Sequence, residues 1–235
     1  MKISEDVLKS KGIRYVQKFP YGEINRTAKN GKRHYATPDG RTVPSVTTVL
    51  SATKDMTHLH AWRKRIGEQK AQQITTESAN IGTVMHRSLE KHVKGEDRTP
   101  GSNLIQQKAW KMANVIIDNG LKDVSEVWGS EVNLFYPELY AGTTDLVGVF
   151  KGEPAIMDFK QARKLKKKEW VEDYFLQLVA YSEAHNIQYG TNINKGKIII
   201  CTQNNEYQTF EIANYDHWVG QWCAKLEQYL SLIHI

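Results

Sequence analysis

One stretch constrains this chain more than any other: Gly142-Thr143-Thr144-Asp145-Leu146-Val147-Gly148-Val149-Phe150, then Lys151-Gly152-Glu153, then Pro154-Ala155-Ile156-Met157-Asp158-Phe159-Lys160. Two apolar, β-branched runs flank a short glycine-containing turn, the pattern of a β-hairpin. With Lys151 and Gly152 as the two loop residues, Asp145 falls directly opposite Asp158. Opposed side chains on paired strands have Cβ atoms roughly 4.5–5.5 Å apart, and like charges there repel. Lys160 lies two residues past Asp158 and shares its face, whereas Phe159 points to the other. Two carboxylates and an ammonium on one face do little for stability. Hard carboxylate oxygens at that spacing suit Mg²⁺ or Mn²⁺, and the lysine suits a phosphate or an attacking water. The pattern points to metal-dependent phosphodiester chemistry.

Around this hairpin the sequence alternates helix and strand. Residues 13–19 alternate roughly, and Thr37-Pro38-Asp39-Gly40 is a turn. One helix is expected from about Ser45. A second, from Asp55 or Thr57, carries Trp62, Arg63, Lys64 and Arg65. Asn80 is a plausible N-cap for a helix over 80–93, and a further helix over 104–119 is closed by Gly120. Strands are expected over 131–136, on both arms of the hairpin, and over 197–202 and 207–212; helices are expected over 170–185 and 215–230. This order predicts an α/β sandwich with a mixed central sheet flanked by helices. The organisation expected is one domain over 1–235, mostly helical over 1–125, with the core sheet and its helices over 126–235.

Composition narrows the setting. At 235 residues the chain can fill a single core. No apolar run approaches the ~20 residues of a membrane span, so no membrane partner is expected. Met1-Lys2-Ile3-Ser4-Glu5-Asp6 lacks the apolar stretch of a signal peptide. Cys201 and Cys223 are too few for a disulfide framework or a four-thiolate cluster. A cytoplasmic setting is the expectation. The net charge of +6 is partly concentrated in Arg163-Lys164-Leu165-Lys166-Lys167-Lys168. Such a run is either a solvated loop or a phosphate-neutralising one. Its place directly after the Asp-Phe-Lys strand favours the second reading.

Other residues carry weaker signals. Glu131 opens a strand and could supply a third carboxylate. His86 sits at the edge of the stripe made by Met85 and Leu89, and nothing intrinsic singles it out among eight histidines. Gln177 and Tyr181 share one helix face with Trp170, Tyr174 and Ala184. A glutamine in an apolar stripe needs partners; it bonds either nearby loop backbone or an active-site group.

Together, Gly-Thr-Thr-Asp145, Asp158-Phe159-Lys160 and Gln177-x-x-x-Tyr181, preceded by a helix carrying His86, resemble the RecB-type branch of the PD-(D/E)XK nucleases. Within that branch the likeness is to the mitochondrial genome maintenance exonuclease type and its phage-encoded relatives, and it implies that the α/β fold is restriction-endonuclease-like, with a helical N-terminal elaboration. Pro44-Ser45-Val46-Thr47-Thr48-Val49-Leu50 also looks like an element of that group, so the resemblance spans roughly residues 43 to 185. It implies that His86, Asp145, Asp158 and the carbonyl of Phe159 hold Mg²⁺ or Mn²⁺. Lys160 would position or activate water, and Glu131 matches an upstream acidic position. Gln177, Tyr181 and Thr143, with Arg163, Lys164 and Lys166, would support the site or contact the strand. Some relatives carry an iron–sulfur cluster on four cysteines; this chain, with two, is expected to carry none. The resemblance implies an exonuclease acting on DNA ends, with single-stranded DNA as partner and phage replication or recombination as context. A structure-specific endonuclease of the same fold and a non-catalytic nucleic-acid-binding module are the competing readings.

Overall fold

The structure, a computed structural model, describes residues 13–233. Its central sheet has the strand order β1-β5-β6-β7-β8-β9, formed by β1 (Arg14–Tyr15), β5 (Val124–Tyr136), β6 (Tyr140–Phe150), β7 (Glu153–Ala162), β8 (Lys195–Thr202) and β9 (Tyr207–Glu211). β1 is parallel to β5 and β7 to β8, while the other neighbours are antiparallel. The sheet is therefore mixed, as the sequence order implies. A smaller antiparallel sheet combines β2 (Asn25–Lys29), β3 (Lys32–Ala36) and β4 (Thr42–Pro44).

Period-two alternation divides the core into two layers. Val147, Ile156, Ile198 and Ile200 face one cluster. Leu146, Met157, Ile199 and Cys201 face the other. The first layer is closed by α1 (Val46–Ala52), α5 (Glu172–Tyr189) and α6 (Tyr215–Ile233), through Val49, Val179, Trp222 and Leu226. The second is closed by α3 (Glu68–Val93) and α4 (Leu104–Gly120), through Ile81, Met85, Leu89, Met112 and Ile116. Buried on both faces, β8 needs the nearly continuous apolar run Ile198-Ile199-Ile200-Cys201.

Local chemistry explains several element ends. Ser45 caps α1 by accepting the Thr48 N–H at 3.0 Å. Asn103 and Gln106 form a reciprocal capping box at the start of α4. Lys151 and Gly152 both have positive φ, 50° and 82°, which a two-residue turn matching strand twist requires.

The start of the helix expected at Asn80 is corrected. α3 begins at Glu68, and Asn80 is an exposed mid-helix residue. Between Glu68 and Asn80 only Ala71 is buried, so this half shows no apolar stripe from which periodicity could be read. Gly67 (φ 86°) separates α3 from α2 (Thr57–Ile66), which has no fully buried residue. Trp62 is half-buried there. β5 begins at Val124, seven residues before the expected strand start, and carries register shifts between Val124 and Glu126 and between Val127 and Gly129. Bulges of this kind blur the alternation. No described helix is long and apolar enough to cross a membrane.

Candidate metal and phosphate site

The site lies where the β6–β7 hairpin opens. From the turn, the ladder runs from Phe150↔Glu153 to Leu146↔Met157, in the register the sequence implies, and stops one pair short of Asp145 and Asp158. Beyond that point β6 stays on β5, with Thr144 opposite Val132, while β7 stays on β8, with Asp158 opposite Ile198. The sheet therefore forks. At the crotch, Asp145 Oδ2 accepts the Phe159 N–H at 2.6 Å, a carboxylate taking the place of the missing strand carbonyl.

Asp145, Asp158 and Lys160 continue the alternation of Val147 and Ile156, which directs them toward the α5 layer. Lys160 Nζ lies 2.6 Å from Asp158 Oδ2 and donates to Gln177 Oε1 at 3.0 Å. It also stands 5.1 Å from the ring centroid of Tyr174. Gln177 thus binds an active-site group rather than loop backbone. The Tyr181 ring packs against β6 at Gly142, where a Cβ would come within 2.7 Å of its Cε1. The glycine of the Gly-Thr-Thr-Asp run is needed for that close approach.

His86 arrives from the opposite layer. Its Nδ1 is 3.1 Å from Asp145 Oδ1 and 3.9 Å from Glu131 Oε1. Glu131 adopts φ 53°, outside strand conformation. Donor atoms of His86, Glu131 and Asp145 all lie within 4.8 Å of one another. The two carboxylates are donors of the kind Mg²⁺ or Mn²⁺ takes, and the imidazole adds the softer nitrogen donor that transition metals accept. The trio fits a divalent cation. Asp158 lies outside it, held by Lys160, and would have to share its carboxylate between the ammonium and a metal.

Burial raises the Asp158 carboxyl, the charge of Asp145 adds to this, and Lys160 offsets only part, leaving it at about 6. Asp145 is also desolvated, but the charges of His86 and Lys160 and the Phe159 N–H outweigh burial and hold it below the usual carboxylate range. Burial disfavours the His86 cation, yet Asp145 and Glu131 overcome it and lift the imidazole to about 10. For Lys160 burial acts downward and is outweighed by Asp158 and Asp145, so the ammonium is held above its ordinary value. A protonated His86 and the Lys160 ammonium thereby balance the two buried aspartates, and to ligate a cation His86 would give up that proton.

The structure thus gathers His86, Glu131, Asp145, Asp158, Phe159, Lys160 and Gln177 around one fork, with Tyr181 beside it. Thr143 is on the Asp145 face, donates to Asn133 Oδ1 at 2.9 Å and lies 3.4 Å from the Tyr35 hydroxyl. Arg163 and Lys164 are exposed in the turn leaving β7. Lys166 is half-buried, its backbone fixed by two 2.8 Å bonds to the Gln208 amide. Tyr35 and Asn133 escape a sequence reading. Tyr35 sits in a short strand far along the chain, and only the packing of the small sheet on β6 brings it near. Asn133 gives a local signal, a lone amide in a strand two residues past Glu131.

No sequence profile of a known protein family matches the chain. It is 26% identical over 207 residues to human mitochondrial genome maintenance exonuclease 1, which covers 80% of this chain and 58% of that protein. The mouse protein of the same name is 24% identical over 232 residues, 90% of this chain and 67% of its own length. This chain therefore spans less than two thirds of the human relative. A solved structure of a candidate exonuclease from Eubacterium rectale superposes with a TM-score of 0.51 at 14% identity, covering 67% of this chain and 66% of the other. That likeness supports the mixed-sheet α/β fold.

Proposed function

We propose that the protein is a metal-dependent deoxyribonuclease that hydrolyses phosphodiester bonds at the β6–β7 fork, acting as an exonuclease on single-stranded DNA ends. The observation that carries this reading is the convergence of Asp145, Asp158 and Lys160 with His86 and Glu131 where the ladder opens. Similarity to the human and mouse exonucleases supports the choice of reaction and substrate.

His86, Glu131 and Asp145 would hold the cation, with Asp158 and the Phe159 carbonyl as further ligands. A bound divalent cation supplies an acidified water and charge neutralisation at the phosphate. The remaining work falls to the chain's own groups. With Gln177 and Asp158 taking two of its three N–H groups, the Lys160 ammonium has one left to donate, either to the attacking water or to a non-bridging phosphate oxygen as negative charge grows there. The water oxygen bonds to phosphorus as its proton passes to solvent, the P–O bond to the leaving nucleotide breaks, and the leaving oxygen takes up a proton from solvent. Arg163, Lys164 and Lys166, on the loop after β7, would neutralise neighbouring phosphates, and Tyr181 and Thr143 would line the path beside them.

The test is cleavage of an end-labelled linear single strand beside a closed circular one, with Mg²⁺ or Mn²⁺, wild type against Lys160→Ala. Loss of the linear strand alone, abolished by the substitution and by chelator, is the expected result. Cutting of the circle would make the protein an endonuclease. Binding without any cleavage would make it a nucleic-acid-binding module.

A further inference from the structure

The β2–β3 hairpin carries Arg26, Lys29, Lys32 and Arg33, and no acidic residue occurs between Glu23 and Asp39. All four cations are exposed, and none makes an ion pair among the described residues. Arg14, Arg41 and Lys54, by contrast, are paired with Glu126, Glu138 and Asp173. Four unpaired cations on one hairpin repel each other, and a polyanion removes that repulsion.

Their placement is specific. Arg33 faces Ala28 across the ladder and Arg26 faces Tyr35, so Arg26, Arg33 and Tyr35 lie on one face of the small sheet. That face presents Tyr35 to Thr143, two residues from Asp145. Burial holds the Tyr181 phenol well above its ordinary value, and the Arg33 guanidinium is close enough to oppose a little of that shift; the same ring packs on Gly142. The hairpin is also anchored. The Arg33 carbonyl accepts both the Ser45 N–H at 3.0 Å and the Thr48 hydroxyl at 2.8 Å. Between the hairpin and α1 lies an open groove of about 450 Å³, lined by Arg26, Lys32 and Arg33 with Thr47 and Ser51.

We propose that this groove is a track for the phosphates of the nucleic-acid strand on its way to or from the fork, with Arg26 and Arg33 as its principal anion contacts. The proposal rests on the nuclease reading and adds to it a route on the β6 side of the fork, built from a different part of the chain than the basic loop that leaves β7. A single strand fits better than an acidic protein surface because evenly spaced phosphates can meet the guanidinium groups and the hydroxyls of Thr47 and Ser51 together.

The test is binding of a fluorescein-labelled 20-nucleotide oligothymidylate, in EDTA to prevent cleavage, read by anisotropy over a range of salt concentrations. Arg26→Gln/Arg33→Gln should weaken binding about tenfold at moderate salt and lower the slope of log affinity against log salt by about 1.4, roughly 0.7 for each lost phosphate contact. Arg26→Lys/Arg33→Lys, which keeps the charges, should keep the slope. Lys111→Gln/Lys122→Gln, on the α4 layer, should change neither quantity. Unchanged affinity and slope in a folded Gln/Gln variant would overturn the track and leave the nuclease reading standing. The same holds if Lys111→Gln/Lys122→Gln weakens binding as much. A wild-type protein that neither binds the oligonucleotide nor cleaves the linear strand with Mn²⁺ would remove both proposals.

Discussion

The two halves of the β6–β7 hairpin obey different rules. Near the turn, from Phe150↔Glu153 to Leu146↔Met157, the ladder is complete, and past the exposed Glu153 and Pro154 its side chains are apolar and largely buried. One residue further the strands part, and the same faces carry Asp145, Asp158 and Lys160. Charges that would repel across a closed ladder become tolerable where it is open. There a carboxylate replaces a backbone acceptor, the His86 imidazole reaches in from α3, and Lys160 of β7 itself pairs with Asp158. The closed half contributes stability and fixes register; the open half depends on that register for its chemistry.

If that division is right, substitutions in the two halves have separable effects. Lys160→Ala should lower single-turnover cleavage of a linear strand roughly 10³-fold, because it removes a donor aimed at developing charge. It also leaves Asp158 buried without its ammonium, so the variant should melt lower. Lys160→Ala/Asp158→Asn should regain stability without regaining activity; a double variant that melts no higher than the single would show that the ion pair is not what holds the fork together. In the closed half, Ile156→Ala should cost about 3 kcal/mol in denaturant unfolding. The protein that stays folded should cleave at the wild-type rate, and a proportionate loss of turnover would blur the comparison. Mn²⁺ at about 100 times its dissociation constant should add about 2.7 kcal/mol of stability to wild type, seen as a raised melting temperature. Asp145→Asn should abolish that rise. Gln177→Ala, which frees the Lys160 ammonium, should slow cleavage about tenfold.

The smallest effect at neutral pH concerns the scaffold alone. His185 is buried, bonded to Tyr21 at 2.9 Å and Thr191 at 2.8 Å, and burial lowers its imidazole from the usual 6.5 to about 4. The unfolded chain therefore binds the proton more readily between those values, so stability is lost as pH falls from 6.5 towards 4. His185→Gln should flatten this part of the stability profile. Melting temperatures measured across that range check it, and an equally steep loss in the variant would move the acid sensitivity to the fork.

How far the sequence reveals the fold and the site depends on how local each signal is. The hairpin register and the shared face of Asp158 and Lys160 follow from short-range alternation and a two-residue turn, whereas the parallel pairings of β1 with β5 and of β7 with β8 join distant segments and leave no such pattern. The Gln177-Lys160 bond is half legible: the helical stripe exposes an amide needing a partner but does not identify it. His86 is harder. It lies at the margin of the α3 stripe and meets Asp145 only because the fork lets a side chain from one layer reach the other. The start of α3 is hidden because its first half packs on almost nothing in the core. The fork itself leaves no pattern, since it is the point at which two strands choose different neighbours.

The bond from the Phe159 amide to Asp145 gives the site a built-in spectroscopic probe. In a sheet, an amide proton usually reports on its neighbouring strand. This one reports on a side chain, so its nitrogen–proton resonance and its exchange with solvent should follow whatever that carboxylate holds. A single backbone signal, followed through a titration of cation or of acid, would read the state of Asp145 without any cleavage taking place.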